Sequence, residues 1–434
     1  MTPPLIATYV SSFPPRPCGI ATFTRDLSEA VARSGREIST RIAAIGAEAS
    51  AYAYPPQVRW TIEQNDPQSW VEVARHINAS RTSVVSIQHE FGLYGVYGPD
   101  GDFDDYLAGF LDHLQKPVVT TLHTVLPHPP PHMREAICRL HERSAAVVTM
   151  VNTARLILEE YYGLSSHKVH TIPHGVPHVK HMDPDIAKRG LRLSGRTVLS
   201  TFGLLSSGKG IEYMLRAMPA IVEKHPDVLY LVIGETHPEV QRVEGERYRN
   251  SLLALVHELG LHHSVQFVNH FLAQEQLVRY LQATDIYVTP YVGRGQITSG
   301  TLAYALGCGR AAVSTPYLYA EEVLAECRGL LAEFKDPDSL TRCINMLLDD
   351  PGLRRRLERN ALEYGQHMSW PVVGARYADL FWEVASGADS SRPVVALPSH
   401  TLVPAGTPRV EISNGAVAAA AKPEASLVGS VRNG

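Results

Sequence analysis

The residues best placed for chemistry are Phe202-Gly203-Leu204-Leu205-Ser206-Ser207-Gly208-Lys209-Gly210, where an apolar run, Thr197–Phe202, enters a glycine-flanked turn and a helical pattern over residues 211–222 follows. A helix start offers unpaired N–H groups and a positive dipole end, so this turn reads as an anion cradle with the Lys209 ammonium in reach of a phosphate. A solvated lysine beside an ordinary glycine turn is the alternative. A second loop, Gln296-Ile-Thr-Ser-Gly-Thr301, sets the hydroxyls of Thr298, Ser299 and Thr301 and the N–H of Gly300 ahead of another helical stretch, 302–306, and suits a phosphate in the same way. In the first half His123 closes the apolar run Val118–Leu122, while His89 and Glu90 close the run 84–88. Side chains at the carboxyl ends of parallel strands line the default cleft. Gly19 follows the first apolar run in a proline-rich loop, where the missing Cβ either admits a ligand to the backbone or simply makes a turn. His128 and His132 have metal-like spacing, but the prolines around them argue against a helix there and no third ligand is evident, so no metal site is expected.

The elements that position these residues follow from length and pattern. A chain of 434 residues exceeds what one core usually holds, which predicts two domains plus appendages. Net charge is −4, the isoelectric point is near 6.6, and no dense Lys/Arg block occurs, which argues against nucleic acid or an anionic membrane surface as main partner. Five scattered cysteines without a C-x-x-C pair read as free thiols of a reducing compartment, and the N-terminal residues lack the pattern of a signal peptide or membrane span; the expectation is a cytoplasmic protein. Short apolar runs alternate with helical patterns from end to end, as in parallel sheets with crossover helices. Strands are expected at 5–10, 84–88, 118–122, 146–150 and 169–172, then at 198–202, 228–233, 265–267, 286–289, 312–314 and 329–331, with helices at 22–33 and 134–143 among those between. The fold class is therefore α/β, with two doubly wound, Rossmann-like domains, 1–180 and 195–369, facing across a cleft. The stretch 173–193, rich in His, Pro and basic residues, reads as the linker. A helix over 370–385 is expected to return to the first domain. The Ala/Ser/Pro/Gly-rich segment 387–434 is expected to be a disordered tail, and the Gly/Tyr/Asp-rich loop 94–105 is a candidate for carbohydrate contact.

In order along the chain stand Pro14-Pro15-Arg16-Pro17-Cys18-Gly19-Ile20, Gln88-His89-Glu90, Thr121-Leu122-His123-Thr124, Ile172-Pro173-His174-Gly175-Val176, the Lys209 turn, Val232-Ile233-Gly234-Glu235, and the region from Gly295 to Pro316. This succession resembles the retaining glycosyltransferases of family 4, which have the GT-B fold, over about residues 5–385. The resemblance implies a nucleotide-diphosphate hexose, mannose or glucose, held by the second domain, and a carbohydrate acceptor held by the first. It implies no cofactor and no dedicated metal, and the charge and hydropathy pattern adds the expectation of no nucleic acid and no stable membrane insertion. His123, Lys209 and Gln296 become the implied catalytic residues; Gly19, Gly203, Lys209, Gly210, Arg294, Gln296, Thr298, Ser299, Gly300, Thr301 and Glu322 the implied donor or phosphate site; His89 and Glu90 the acceptor side. The chain departs from the family at three positions: Leu204 stands for an arginine that helps clamp the diphosphate, and Gln296 and Tyr304 stand for two glutamates. Arg294 is the expected replacement cation. These losses leave two other readings open, a retaining disaccharide phosphorylase using sugar 1-phosphate and a catalytically weak sugar-binding protein of the same fold.

Overall fold

The computed structural model describes residues 4–47, 52–97, 103–180 and 182–387. The expected tail after residue 387 and the middle of the 94–105 loop lie outside the described residues. In chain order the first half forms β1 (Leu5–Ser11), β2 (Ile38–Gly46), β3 (Val58–Glu63), β4 (Val84–His89), a hairpin of β5 (Gly95–Tyr97) and β6 (Phe103–Asp105), then β7 (Val118–Leu122), β8 (Ala146–Thr149) and β9 (Val169–Thr171). The second half forms β10 (Thr197–Phe202), β11 (Val228–Ile233), β12 (Val265–Val268), β13 (Ile286–Thr289), β14 (Ala311–Ser314) and β15 (Gly329–Leu331). Most of the central strands, β1, β4, β7, β8, β11, β13 and β14, are buried along their whole length, which is why they read as continuous apolar runs.

Two parallel sheets result, with strand orders β3-β2-β1-β4-β7-β8-β9 and β12-β11-β10-β13-β14-β15. Each order reverses direction beside its first strand, so the crevice of each sheet opens at the carboxyl ends of β1 and β4 or of β10 and β13. The residues singled out by their chemistry emerge at these ends. Strands β2 and β3 are additions to the expected set. The first half of β2, Ile-Ser-Thr-Arg, breaks the apolar run, and β3 is an edge strand with a polar alternation, so neither stands out by hydropathy.

The expected linker contains a helix, Pro184–Leu191. The Asp183 side chain accepts from the Asp185 N–H at 2.9 Å, Pro184 supplies a preset φ, and the buried side of the helix is carried by Lys188, whose ammonium lies 2.7 Å from Asp285. Asp285 also accepts from the Val198 N–H at 2.7 Å, tying the helix to β10. A buried lysine is not an apolar signal, which is why periodicity misses this element. A second correction concerns His132: Pro131 opens the helix Pro131–Arg143, so His132 sits in its first turn, against Phe103, while His128 packs on Tyr161.

The helix Trp370–Ala385 lies on the helix Gly19–Ala32, burying Val373, Tyr377, Leu380 and Phe381 in the core of the first sheet. The Tyr377 hydroxyl meets that of Thr121 at 3.0 Å, and Arg376 donates to the Thr171 carbonyl at 2.7 Å. The two helices touch at Gly374, where a Cβ would stand 2.6 Å from the Ala30 backbone. Among the described residues no helix is long and apolar enough to cross a membrane. The close contact makes a direct forecast: Gly374→Val forces the two helices apart and lowers unfolding stability by about 1–3 kcal/mol, read from urea denaturation; an unchanged midpoint would mean the contact is loose.

Candidate functional site

In the second domain, β10 ends on Phe202 and Gly203, which takes φ +133°, a conformation closed to most side chains. The neighbouring loop after β11 passes so close that a Cβ on Gly234 would lie 2.1 Å from the Gly203 carbonyl oxygen. The chain then makes a short turn, Ser207–Lys209, and Gly210, at φ +61°, lies against the Pro290 carbonyl. This fixes Lys209 beside the end of β13. Its ammonium donates to the Tyr291 hydroxyl at 3.0 Å and stands 4.1 Å from the centre of that ring. The Tyr291 hydroxyl meets Thr301 Oγ1 at 2.8 Å, which meets Ser299 Oγ at 3.1 Å. Ser299 in turn accepts from the Leu302 N–H and caps the helix Gly300–Gly307. A continuous polar chain, Lys209 to Tyr291 to Thr301 to Ser299, therefore joins the two loops on either side of the switch point. The first N–H groups of the capped helix, on Gly300 and Thr301, have no intrahelical carbonyl to meet.

At the expected anion cradle, residues 203–211, several backbone N–H groups already have partners. The N–H groups of Lys209 and Gly210 donate to Ser206 and Ser207, and that of Ile211 donates to the Tyr248 hydroxyl at 3.1 Å. Glu212 sits in the first turn and accepts from Tyr248 at 2.6 Å, adding negative charge where an anion would bind. In the second domain, the N–H groups of Gly300 and Thr301 at the start of the helix Gly300–Gly307 lie beside this polar chain. Arg294, the expected second cation, is instead exposed, with 60% of its side chain accessible, and pairs with Glu321 at 3.3 Å. The Gln296 amide donates to the Thr298 carbonyl at 3.0 Å. Its loop reaches the first domain, since a Cβ on Gly295 would be 3.3 Å from Leu126, three residues after His123.

On the first domain, Gly19 opens the helix Gly19–Ala32, earlier than the pattern indicated. Cys18 provides no side-chain cap, and nothing lies within 4 Å of a Cβ on Gly19, so this helix start faces open space. His123 is buried, with Nε2 3.1 Å from Gln88 Oε1. The Gln88 amide nitrogen donates to Ser86 and Thr121, so its oxygen faces the imidazole, Nε2 carries the hydrogen and Nδ1 keeps the lone pair. Phe23 packs edge-on against His123 at 4.9 Å, His174 at 5.0 Å and Trp370 at 5.4 Å, gathering two histidines around one aromatic ring. Burial, with neighbouring His174 and His89, holds His123 down to about 3, and burial holds His174 to about 4. Both rings are neutral at physiological pH. His89 and Glu90 point inward. His89 is stacked on Tyr94 at 5.4 Å with Phe91 at its edge, and Glu90 accepts from the Phe91 N–H and the Thr124 hydroxyl. Both therefore hold contacts with neighbouring protein groups beside the strand that leads into His123.

Two carboxylates join the halves. Glu322 accepts from the N–H groups of Asn152 and Thr153, both at 2.8 Å, and from the Thr153 hydroxyl at 2.7 Å, capping the helix Asn152–Tyr162 of the first domain from the second. Its carboxylate is thus engaged as a helix cap between the two domains. Asp26, buried in the helix Gly19–Ala32, accepts from Gln274 at 3.1 Å and from the Tyr304 hydroxyl at 3.3 Å. Tyr304 thus fills a position where the resemblance implies a glutamate and directs its oxygen to the other domain. Burial raises the Asp26 carboxyl above its usual range, opposed by Arg25 and the Tyr304 hydrogen bond. Asp26, His174 and Tyr291 were outside the expected site; only His174, within the Pro173-His174-Gly175 landmark, had a sequence signal.

Residues 183–364 match the family model described as glycosyl transferases group 1, and residues 17–180 that described as glycosyltransferase family 4. The chain is a group 1 glycosyltransferase. It is 26% identical over 302 residues to the phosphatidyl-myo-inositol mannosyltransferase of Mycolicibacterium smegmatis, spanning 69% of this chain and 72% of the relative. It is 27% identical over 188 residues to a D-inositol 3-phosphate glycosyltransferase of Corynebacterium diphtheriae, 43% of each. In structure this glycosyltransferase is similar to the sucrose-phosphate synthase of Thermosynechococcus elongatus (TM-score 0.71, 17% identity, 88% of this chain and 100% of that one) and to Anabaena HepE in complex with UDP (TM-score 0.69, 16% identity, 87% and 100%). Its two Rossmann-like sheets are those of the GT-B fold.

Removing the Glu322 carboxylate (Glu322→Ala) leaves the helix start at Asn152 uncapped and lowers stability by about 1–2 kcal/mol in urea denaturation. The buried histidines set a pH dependence. His89 titrates near 3 in the fold because of burial, against about 6.5 in an unfolded chain, so its stabilisation is complete above pH 6.5 and is lost progressively as pH falls toward 3. The drop in melting temperature between pH 7 and pH 5 is therefore smaller in His89→Gln than in the unsubstituted protein.

Proposed function

We propose that this glycosyltransferase moves a hexosyl group from a nucleotide-diphosphate sugar to a carbohydrate hydroxyl with retention of anomeric configuration, in the cytoplasm. The observation that carries the reading is the polar chain from Lys209 through Tyr291 and Thr301 to Ser299, set at the switch point of the second sheet beside the open helix start at Gly300. A leaving diphosphate needs neutralisation and oriented donors; a fixed ammonium and helix N–H groups supply both. Lys209 and the Gly300 N–H are assigned to the diphosphate, Thr298 and Gln296 to the donor sugar. Neutral His123, with its Nδ1 lone pair, accepts a hydrogen bond from a sugar hydroxyl without placing a positive charge beside the oxocarbenium-like centre. Such a scheme lets a phosphate oxygen of the leaving group take the acceptor proton on the same face, with no carboxylate pair. Five free cysteines suit a reducing compartment.

That relatives of this chain are named mannosyl- and glycosyltransferases favours transfer over phosphorolysis. A mannosyl relative and a UDP-bound structural neighbour suggest different donors, so the donor is sought with UDP- and GDP-hexoses together. Lys209→Ala is expected to lower kcat by roughly 10²–10³-fold with the donor that turns over. The product anomer, assigned from proton NMR coupling, is expected to match the donor; an inverted product overturns the retaining assignment, and an unaffected Lys209→Ala enzyme overturns the diphosphate site.

A further inference from the structure

A cavity of about 460 Å³ lies away from the switch points, at the edge of the first sheet between β3 and the helix Pro67–Ala79. Three half-buried aromatic side chains, Tyr52, Tyr54 and Trp60, form part of its wall, with the rings of Tyr52 and Tyr54 5.7 Å apart. Arg59, Glu72 and His76 supply charge and hydrogen bonding. The Tyr54 hydroxyl oxygen is buried and has no hydrogen-bond partner. The register explains how Arg59 arrives there. Val58 pairs with Ile42 and Trp60 with Ala43, so Arg59 is the extra residue of a β-bulge, which re-aims a side chain at an edge.

Positive charge gathers near Arg59. Arg41 on β2 lies close enough to Arg59 and Arg81 to be repelled by both, and among the described residues none of the three guanidinium groups has a carboxylate partner. Glu72 is the acid in the wall, and it accepts from Gln68 at 3.4 Å. An Arg59 guanidinium without a carboxylate partner, in a wall shared with Tyr52, Tyr54 and Trp60, forms a site for a flat, partly apolar ring bearing an anion: the rings take the C–H face, and the fork of Arg59 takes the carboxylate, sulfate or phosphate.

We propose that this cavity is a second saccharide site, which binds an acidic pyranose residue of a glycan. β3 stands four strands from β7, about 19 Å across the sheet, so the residue bound here is not the one that reacts at His123. The site holds a distant part of an extended acidic acceptor while another part lies in the cleft. Only this last step rests on the proposed transferase function; the binding itself does not.

The test is isothermal titration of the full-length protein with tetragalacturonate, with maltotetraose as the neutral counterpart, and with anionic phosphatidylglycerol vesicles by co-sedimentation. The acidic tetrasaccharide is expected to bind at least tenfold more tightly than the neutral one, to weaken at least tenfold in Arg59→Ala, and to bind Lys209→Ala unchanged. Arg59 and Arg81 are exposed, so Arg59→Ala and Arg81→Ala keep the fold, checked by circular dichroism, and Trp60→Phe tests the aromatic wall with a ring retained. The proposal is overturned by no binding of tetragalacturonate to the unsubstituted protein, by equal binding by Arg59→Ala, or by Arg59-dependent vesicle binding without saccharide binding, which would make the patch a lipid contact. Binding lost in Lys209→Ala would also overturn it by locating the saccharide in the cleft. Absent glycosyl transfer with intact, Arg59-dependent binding would refute the transferase reading and leave this site standing.

Discussion

The contact of the Lys209 ammonium with Tyr291 depends on backbones approaching where no side chain fits. Gly203 and Gly234 pass in contact, and Gly210 lies on the Pro290 carbonyl, so the loop after β10 is pressed against the end of β13. A Cβ at Gly210 or Gly234 would sit 2.1 Å from a carbonyl oxygen, a separation that only movement of the loop relieves. Lysine is a flexible point charge on four methylenes, and this packing gives it one direction. The tyrosine then passes the connection to Thr301 and Ser299, so that a charge from one side of the switch point and a helix start from the other converge.

The same economy of contact joins the two halves. Glu322 caps a helix of the first domain, and Asp26 of the first domain takes hydrogen bonds from Tyr304 and Gln274 of the second. Each carboxylate crosses in the opposite direction to the other. Between them Phe23 gathers His123, His174 and Trp370, and Trp370 begins the helix that returns to the first domain. Val176 and Trp370 are also linked by the bridge between Val176 and Ser369, so the outward and return crossings of the chain are pinned together. Burial keeps the imidazoles neutral, as the proposed transfer, with positive charge developing on the sugar, requires.

Much of this was legible in the sequence. Strands buried on both faces declare themselves as apolar runs, and eleven expected strands correspond to elements of the two sheets. β2 and β3 did not, because a polar first half and an edge position remove the pattern on which the reading depends. The glycines of the Lys209 turn were visible because such turns demand particular residue types, and the hydroxyl-rich loop before the helix Gly300–Gly307 stood out by composition, although the capping role of Ser299 did not. Tyr291 was not, since a tyrosine after a strand has no distinctive local signal; its role comes from a partner 82 positions away. Glu322 and Asp26 illustrate the same limit from the other side. A carboxylate on a helix looks like solvated surface until the fold brings a helix start or a tyrosine hydroxyl to it, and no local pattern announces that Tyr248 takes the first N–H of the helix after Gly210.

A crystal structure with a bound nucleoside diphosphate tests most directly whether the polar chain at the switch point is the donor site. The expected result places the terminal phosphate within hydrogen-bonding distance of Lys209 Nζ and of the N–H groups of Gly300 and Thr301, with the nucleoside lying over the second sheet. A diphosphate bound at the start of the helix Ile211–Lys224, or on Arg294 away from Lys209, would contradict it.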